Sequence, residues 1–404
     1  MWNKVEAQLS AERTADLARN FIRIKSEAGA AQAGGAWIEG RLKELGFRVE
    51  TYSIEGFGGG PMVVGELELG SSGPGVMFDA HHDTDPVNNA SAWTVDPFGG
   101  EIRDGCIYGR GAVDSKGPVA AMLAACEAIV KSGLPLRGRI IFASPSDGEL
   151  AMRGGDLLVD AGYADRTDVI YSAESTSLRT VDIAYPGISV WKIGVTGRAA
   201  HPTKPEEGIN AVVKMAHVIS DIDKRLKFRH DRWKWMDPRV TVNAVRNRPH
   251  GWEVPDHCDL IINVLSVPGM TPESMKEDIN SFLAHLKGDD PDLQAEVKLI
   301  PRGFYVWRRP AEVPEDHRAV MALLDATEEV TGKRPAISPF MGGYVPGAAT
   351  STLADRKSRQ PNPPCITFGP GDFSLAHSAD ERIQIDELHS GAVIFAKALY
   401  SLLS

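Results

Sequence analysis

Short apolar runs that end abruptly in carboxylates or histidine constrain this chain more than any other feature. Residues 75–80 lead into His81-His82-Asp83, and Arg139-Ile140-Ile141-Phe142-Ala143 leads on to Glu149. Val169-Ile170-Tyr171-Ser172 leads to Glu174, and a further apolar stretch precedes Phe368-Gly369-Pro370-Gly371-Asp372, which continues to His377. Runs this short and this apolar read as strands buried on both faces. The Ala- and Leu-rich stretch Gly117–Lys131 between the first two is a helix. Strand, polar tip, helix, strand predicts an α/β architecture with a mixed, partly parallel sheet and helices on both faces. In such sheets chemistry collects just beyond the strand ends.

Around this kernel the pattern predicts helices over 5–26 and 31–45, the second ending at Gly46, and a strand over 61–69. The texture changes near Tyr185-Pro186-Gly187. Ile188, Val190, Ile193 and Val195 then mark a half-buried strand over 188–196. A helix over 208–225, strands over 238–246 and 258–267, and a helix over 272–287 follow, with one more strand after Lys287-Gly288-Asp289-Asp290-Pro291. That order suits an inserted α+β domain. The chain of 404 residues therefore divides into a catalytic domain of 1–187 and 303–404, which includes helices over 312–331 and 386–403, and a lid of 188–302.

The net charge of −10 and pI near 5.6 argue against nucleic acid or an anionic membrane surface as partner. No stretch approaches the ~20 apolar residues of a membrane helix, and the charged N-terminus lacks the apolar core of a secretion signal. Cys106, Cys126, Cys258 and Cys365 are scattered without paired spacing, which fits reduced, buried thiols and a cytoplasmic enzyme.

The residues at the strand tips carry the chemistry. His81, Glu149, Glu174 and His377 follow apolar strands, and Asp114 stands at the end of Tyr108-Gly109-Arg110-Gly111-Ala112-Val113-Asp114, just ahead of the Ala-rich helix. Any one of them alone would read as a cap or turn residue. Two histidines and three carboxylates projecting from neighbouring strand ends can instead hold two divalent cations with one carboxylate bridging. That nitrogen and oxygen donor set suits zinc, manganese or cobalt.

These motifs resemble those of the aminoacylase, acetylornithine deacetylase, succinyl-diaminopimelate desuccinylase and carboxypeptidase G family. Ala80-His81-His82-Asp83-Thr84-Asp85-Pro86 is similar to its Gly-His-x-Asp-x-x-Pro signature, and Ile107–Gly117 to its second. Glu174-Ser175-Thr176, Gly197-Arg198-Ala199-Ala200-His201-Pro202 with Gly208-Ile209-Asn210-Ala211, and Phe368–Glu381 are similar to three more. The resemblance implies that His81 and Glu174 bind one metal, that His377 and Glu149 bind the other, and that Asp114 bridges them. It implies that Asp83 orients His81, that the lid brings His201 and Asn210 to the substrate, and that the protein is a homodimer or higher homo-oligomer. The implied reaction is hydrolysis of a carbon–nitrogen bond in a small molecule by metal-activated water.

Several positions depart from the family. Its third signature, Asp-Glu-Glu, contains the general base, but here Asp147-Gly148-Glu149 puts a glycine at that place. Asp147 is the nearby candidate for the missing base. Trp252, Leu265 and Tyr344 stand where the family commonly has polar substrate-binding groups, which predicts a more apolar, aromatic pocket. Three readings follow: an amidohydrolase or peptidase with a relocated base, an aminohydrolase that removes the amino group of an aromatic acid, and a non-catalytic metal-binding relative.

Overall fold

The computed structural model describes residues 1–54, 60–70, 72–150, 153–231, 233–247, 251–301, 307–340 and 363–404. The chain forms two compact units, Met1–Tyr185 with Glu312–Ser404, and Pro186–Ala311. The second unit runs beyond residue 302 because Trp307–Arg308 pairs antiparallel with the strand Gly187–Thr196.

The larger unit is built on a mixed sheet whose centre is parallel. Gly138–Ser144, Gly75–Asp79, Val169–Ser172 and Cys365–Thr367 lie side by side and point the same way. Pro61–Gly70 and Arg48–Ser53 add antiparallel strands beyond Gly138–Ser144. Thr180–Tyr185 flanks the other side, antiparallel to Cys365–Thr367 and parallel to Ala336–Pro339. The central strands are buried almost throughout, as their unbroken apolar sequences require.

The small side chains of Lys116–Lys131 let that helix sink into the core, packing against the helices Ala11–Ile22 and Ile385–Leu403. Phe395 of the terminal helix joins helix to sheet, its ring 5.3 Å from Phe78 and 5.7 Å from Phe368. A small sheet of Glu101–Arg103, Cys106–Tyr108 and Arg382–Gln384 was not legible in the sequence. Nor was the break in the first helix, which is two helices, Trp2–Glu6 and Ala11–Ile22. Ser10 restarts the chain as an N-cap, its side chain accepting from the Arg13 N–H at 3.1 Å.

The second unit is an antiparallel sheet ordered Arg239–Arg246, His257–Ser266, Gly187–Thr196 and Gln294–Ile300, with the helices Ala211–Arg225 and Pro272–Asp289 packed on it. No helix among the described residues is long and apolar enough to cross a membrane.

Candidate metal centre

Four parallel neighbouring strands release the chain at one edge of the sheet, and this brings distant residues together. Gly75–Asp79 delivers His81 and Asp83, and Gly138–Ser144 delivers Asp147 and Glu149. Val169–Ser172 delivers Glu174, and Cys365–Thr367 leads to His377. Asp114 joins them from the turn before Lys116–Lys131.

Asp114 is the hub. Its Oδ1 lies 3.0 Å from His81 Nε2, and its Oδ2 lies 3.1 Å from His377 Nε2. Glu174 Oε1 stands 3.6 Å from His81 Nε2, and Glu149 Oε1 stands 3.2 Å from His377 Nε2. His81, Asp114 and Glu149 each offer a ligand atom within 4.8 Å of the others. Donor atoms spaced this way can share an ion held ~2.0–2.2 Å from each.

His81 Nδ1 lies 2.9 Å from the Asp83 carbonyl and 3.3 Å from its carboxylate, which fixes the proton on Nδ1. Burial works against a charged ring, but the hydrogen bonds to Asp114 and Asp83 hold His81 well above its usual range, so a proton, or a metal ion in its place, lies between Nε2 and Asp114. Burial pushes the carboxyls of Glu149 and Glu174 above their usual range. Burial acts the same way on Asp114, but the hydrogen bonds from His377 and His81 hold it below that range. The hydrogen bond to Asp114 holds His377 up, at about 9. Buried carboxylates that outnumber their cationic partners in this way fit a divalent cation.

Asp83 is fully buried and does more than orient His81. Its two oxygens accept from the Gly148 and Glu149 N–H groups at 2.9 and 3.1 Å, so one carboxylate fixes both the histidine and the turn carrying Glu149. Glycine at 148 has a steric reason. A Cβ there would lie 2.2 Å from Cγ and 2.6 Å from Cδ2 of His81. The imidazole occupies the space that a side chain at 148 would need.

The other candidate residues sit in different local settings. Asp147 is buried with its carboxylate accepting from the Arg153 and Gly154 N–H groups, where the helix Gly154–Asp160 begins. Burial pushes it up to about 6, and both its oxygens accept from backbone N–H groups. Asn210 caps the helix Ala211–Arg225, its Oδ1 accepting from the Val212 and Val213 N–H groups at 3.0 and 3.2 Å, which leaves only its amide NH₂ for a ligand. Leu265 is a half-buried strand residue opposite Ile188. Trp252 is 88% exposed within the second unit. Tyr344 lies outside the described residues.

His201 is exposed, with Nδ1 2.8 Å from the Thr203 hydroxyl and accepting from the Thr203 N–H at 3.3 Å. An accepting Nδ1 leaves the proton on Nε2 as a donor. The cysteines are all free and buried, as their scatter in sequence suggests. One residue without an assigned role in the sequence reading is Glu381, buried against the turn that carries Asp114. Its place at the end of the last motif is the only signal the sequence offers.

A parallel-centred sheet whose strand tips gather two histidines and three carboxylates fits a metal-dependent hydrolase. Residues 77–401 match peptidase family M20/M25/M40, and the chain belongs to that family. It is therefore a metal-dependent hydrolase acting on amide or peptide-like carbon–nitrogen bonds of small molecules. The chain is 26% identical over 405 residues to the N-formyl-4-amino-5-aminomethyl-2-methylpyrimidine deformylase of Bacillus subtilis, covering 93% of this chain and 91% of that one. It is 28% identical over 396 residues to a succinyl-diaminopimelate desuccinylase of Methylorubrum populi, covering 95% and 96%. Its fold is that of the YXEP protein of Bacillus subtilis, a dinuclear metal-binding peptidase, with a TM-score of 0.67, 16% identity, and coverage of 97% and 98%.

Proposed function

We propose that this protein is an N-deacylase that cleaves the amide of a small N-acyl compound to a carboxylic acid and an amine. The observation that carries this reading is Asp114, with one oxygen turned to His81 and the other to His377. We assign His81 and Glu174 to one ion, His377 and Glu149 to a second, and Asp114 to both, with zinc, manganese or cobalt as the metal. The pair would supply activated water and a polarised carbonyl when bound. Asp83 holds His81 in the Nδ1–H tautomer so that Nε2 is free to ligate. The second unit acts as a lid, and His201 Nε2–H donates to the oxygen on which negative charge develops. The deformylase and the desuccinylase, named for removing formyl and succinyl groups, support N-acyl substrates.

A second copy of the chain completes the assembly in this proposal. Among the described residues Arg239–Arg246 is an edge strand, with Val242 36% and Val245 49% exposed, a template for pairing with its own symmetry mate. Free buried thiols support a cytoplasmic setting.

One observation favours a second substrate class. Amide cleavage requires a proton for the expelled amine, and the space at Gly148 is filled by His81. Displacement of an amino group from an activated aromatic acid leaves the ring to hold the developing charge and depends less on a carboxylate at that place. Kinetics of the zinc- and manganese-loaded protein on N-formyl, N-acetyl and N-succinyl amines, beside amino-substituted benzoates, decide between them. Acid and amine as products, with Asp147→Asn retaining turnover, are expected. Ammonia from the benzoates with no acyl hydrolysis overturns the deacylase reading.

A further inference from the structure

Glu381 stands four residues after His377 and is fully buried. Its Oε1 accepts from the Val113 and Asp114 N–H groups at 2.9 and 3.2 Å. Its Oε2 accepts from Arg110 Nη1 at 2.7 Å and from the Gly111 N–H at 3.1 Å. The Glu381 carbonyl accepts from the Gly109 N–H at 2.8 Å, and Arg382–Gln384 then pairs with Cys106–Tyr108. One carboxylate therefore gathers the donors of an entire turn. Gly111, at φ +89, turns its N–H inward, and a Cβ there would lie 2.9 Å from Thr84 Cγ2. The guanidinium of Arg110 also lies over the Trp93 ring, 5.5 Å from its centroid.

We propose that Glu381 is a positioning residue that sets the separation of the two metal positions. It joins the segment bearing His377 to the turn bearing Asp114, and it bonds to the Asp114 N–H itself. The inference rests on the assignment of Asp114 as the bridging ligand. Asp114 has to present one oxygen to each histidine, so a rotation of its turn would preserve one contact and lose the other. Four donors on a single ionised carboxylate resist that rotation better than neutral acceptors would, because hydrogen bonds to a charged acceptor are roughly twice as strong. An amide at the same place has one acceptor oxygen for donors on two sides, and its NH₂ group faces N–H groups. Glu381→Gln therefore releases one half of the turn with almost no change in volume.

The test is manganese titration of the metal-free protein by calorimetry, together with the electron paramagnetic resonance signal of a coupled Mn(II) pair. Melting curves in chelator accompany both. Wild type is expected to bind two ions and show the coupled signal. Glu381→Gln is expected to bind the second ion about 10–100-fold more weakly, the range typical of groups that orient ligands, and to lose the coupled signal. Its kcat should fall more than its KM rises. Glu381→Asp, which keeps the charge on a shorter arm, should recover part of the affinity and the signal. If Glu381→Gln does not fold, Glu381→Asp still decides, since wild-type affinity and an unchanged coupled signal in that variant would overturn the proposal. So would a Glu381→Gln protein that melts earlier in chelator but binds both ions as wild type does, because that describes a residue that only holds the fold. A wild-type protein that binds no manganese would instead refute the metal assignment on which the inference stands.

Discussion

The glycine at 148 yields the sharpest prediction, because a single methyl group suffices to test it. In Gly148→Ala the new Cβ would stand 2.2, 2.5 and 2.6 Å from Cγ, Cβ and Cδ2 of His81. Carbon atoms rest ~3.5–4.0 Å apart, so ring and turn must separate by more than about 1 Å. Neither is free to move. The turn is held by Asp83 through the Gly148 and Glu149 N–H groups. The histidine is held at its carbonyl by the Ser115 hydroxyl at 2.6 Å, at Nδ1 by Asp83, and at Nε2 by Asp114. Overpacking of this kind costs about 1–3 kcal/mol, whereas metal–ligand distances tolerate only about ±0.2 Å. The larger effect therefore falls on the metal. Gly148→Ala should fold, melt several degrees lower in chelator, and bind zinc or manganese at least about tenfold more weakly. Gly148→Glu, which restores the family's sequence, should not restore a base and should impair metal binding further. Elemental analysis after dialysis and calorimetric titration check both variants. A Gly148→Ala protein holding its full metal complement with wild-type affinity would show that His81 is not confined as described.

Two further outcomes follow from other parts of the chain. Asp182 is buried in the strand Thr180–Tyr185 with one oxygen unpartnered, and burial pushes it up to about 7. The folded chain then keeps a proton that the unfolded chain releases near pH 4, so this group's contribution to stability is complete below pH 4 and is lost as the pH rises towards 7. The full loss is about 4 kcal/mol; Asp182→Asn should flatten the decline of chemical-denaturation stability between pH 4 and 8, and an unchanged slope would place the proton elsewhere. Val245→Lys on the exposed edge strand should shift the protein from dimer to monomer in sedimentation. A wild-type protein that sediments as a monomer at micromolar concentration would remove the assembly.

The extent to which the sequence revealed these features depended on whether a signal was local. That His81, Glu149, Glu174 and His377 gather at one edge could be expected because each follows a short apolar run that marks a strand, and parallel neighbours open at one edge. The strand–helix–strand–strand–helix–strand order of the second unit was legible for the same reason. Capping was not. Asp147 and Asn210 look like reactive groups in sequence, yet their oxygens go to N–H groups at the start of the helices that follow them. Glu381 shows the opposite error, since its partners lie on a turn far back in the chain and nothing adjacent to it announces them. The obstruction at Gly148 was also hidden, because it arises between two strands that meet only in the folded sheet.

The strand-tip arrangement also has a consequence for how the protein is made. Glu149 and His377 approach within 3.2 Å although 228 positions separate them. No chain that stops short of residue 377 contains all of these donors, and the helix Ile385–Leu403 begins only eight residues later. Ordering so long a loop is entropically unfavourable until the central strands have paired. Gathering of these side chains is thus a late event that depends on completion of the sheet, and a chain that stops short of residue 377 lacks one of them.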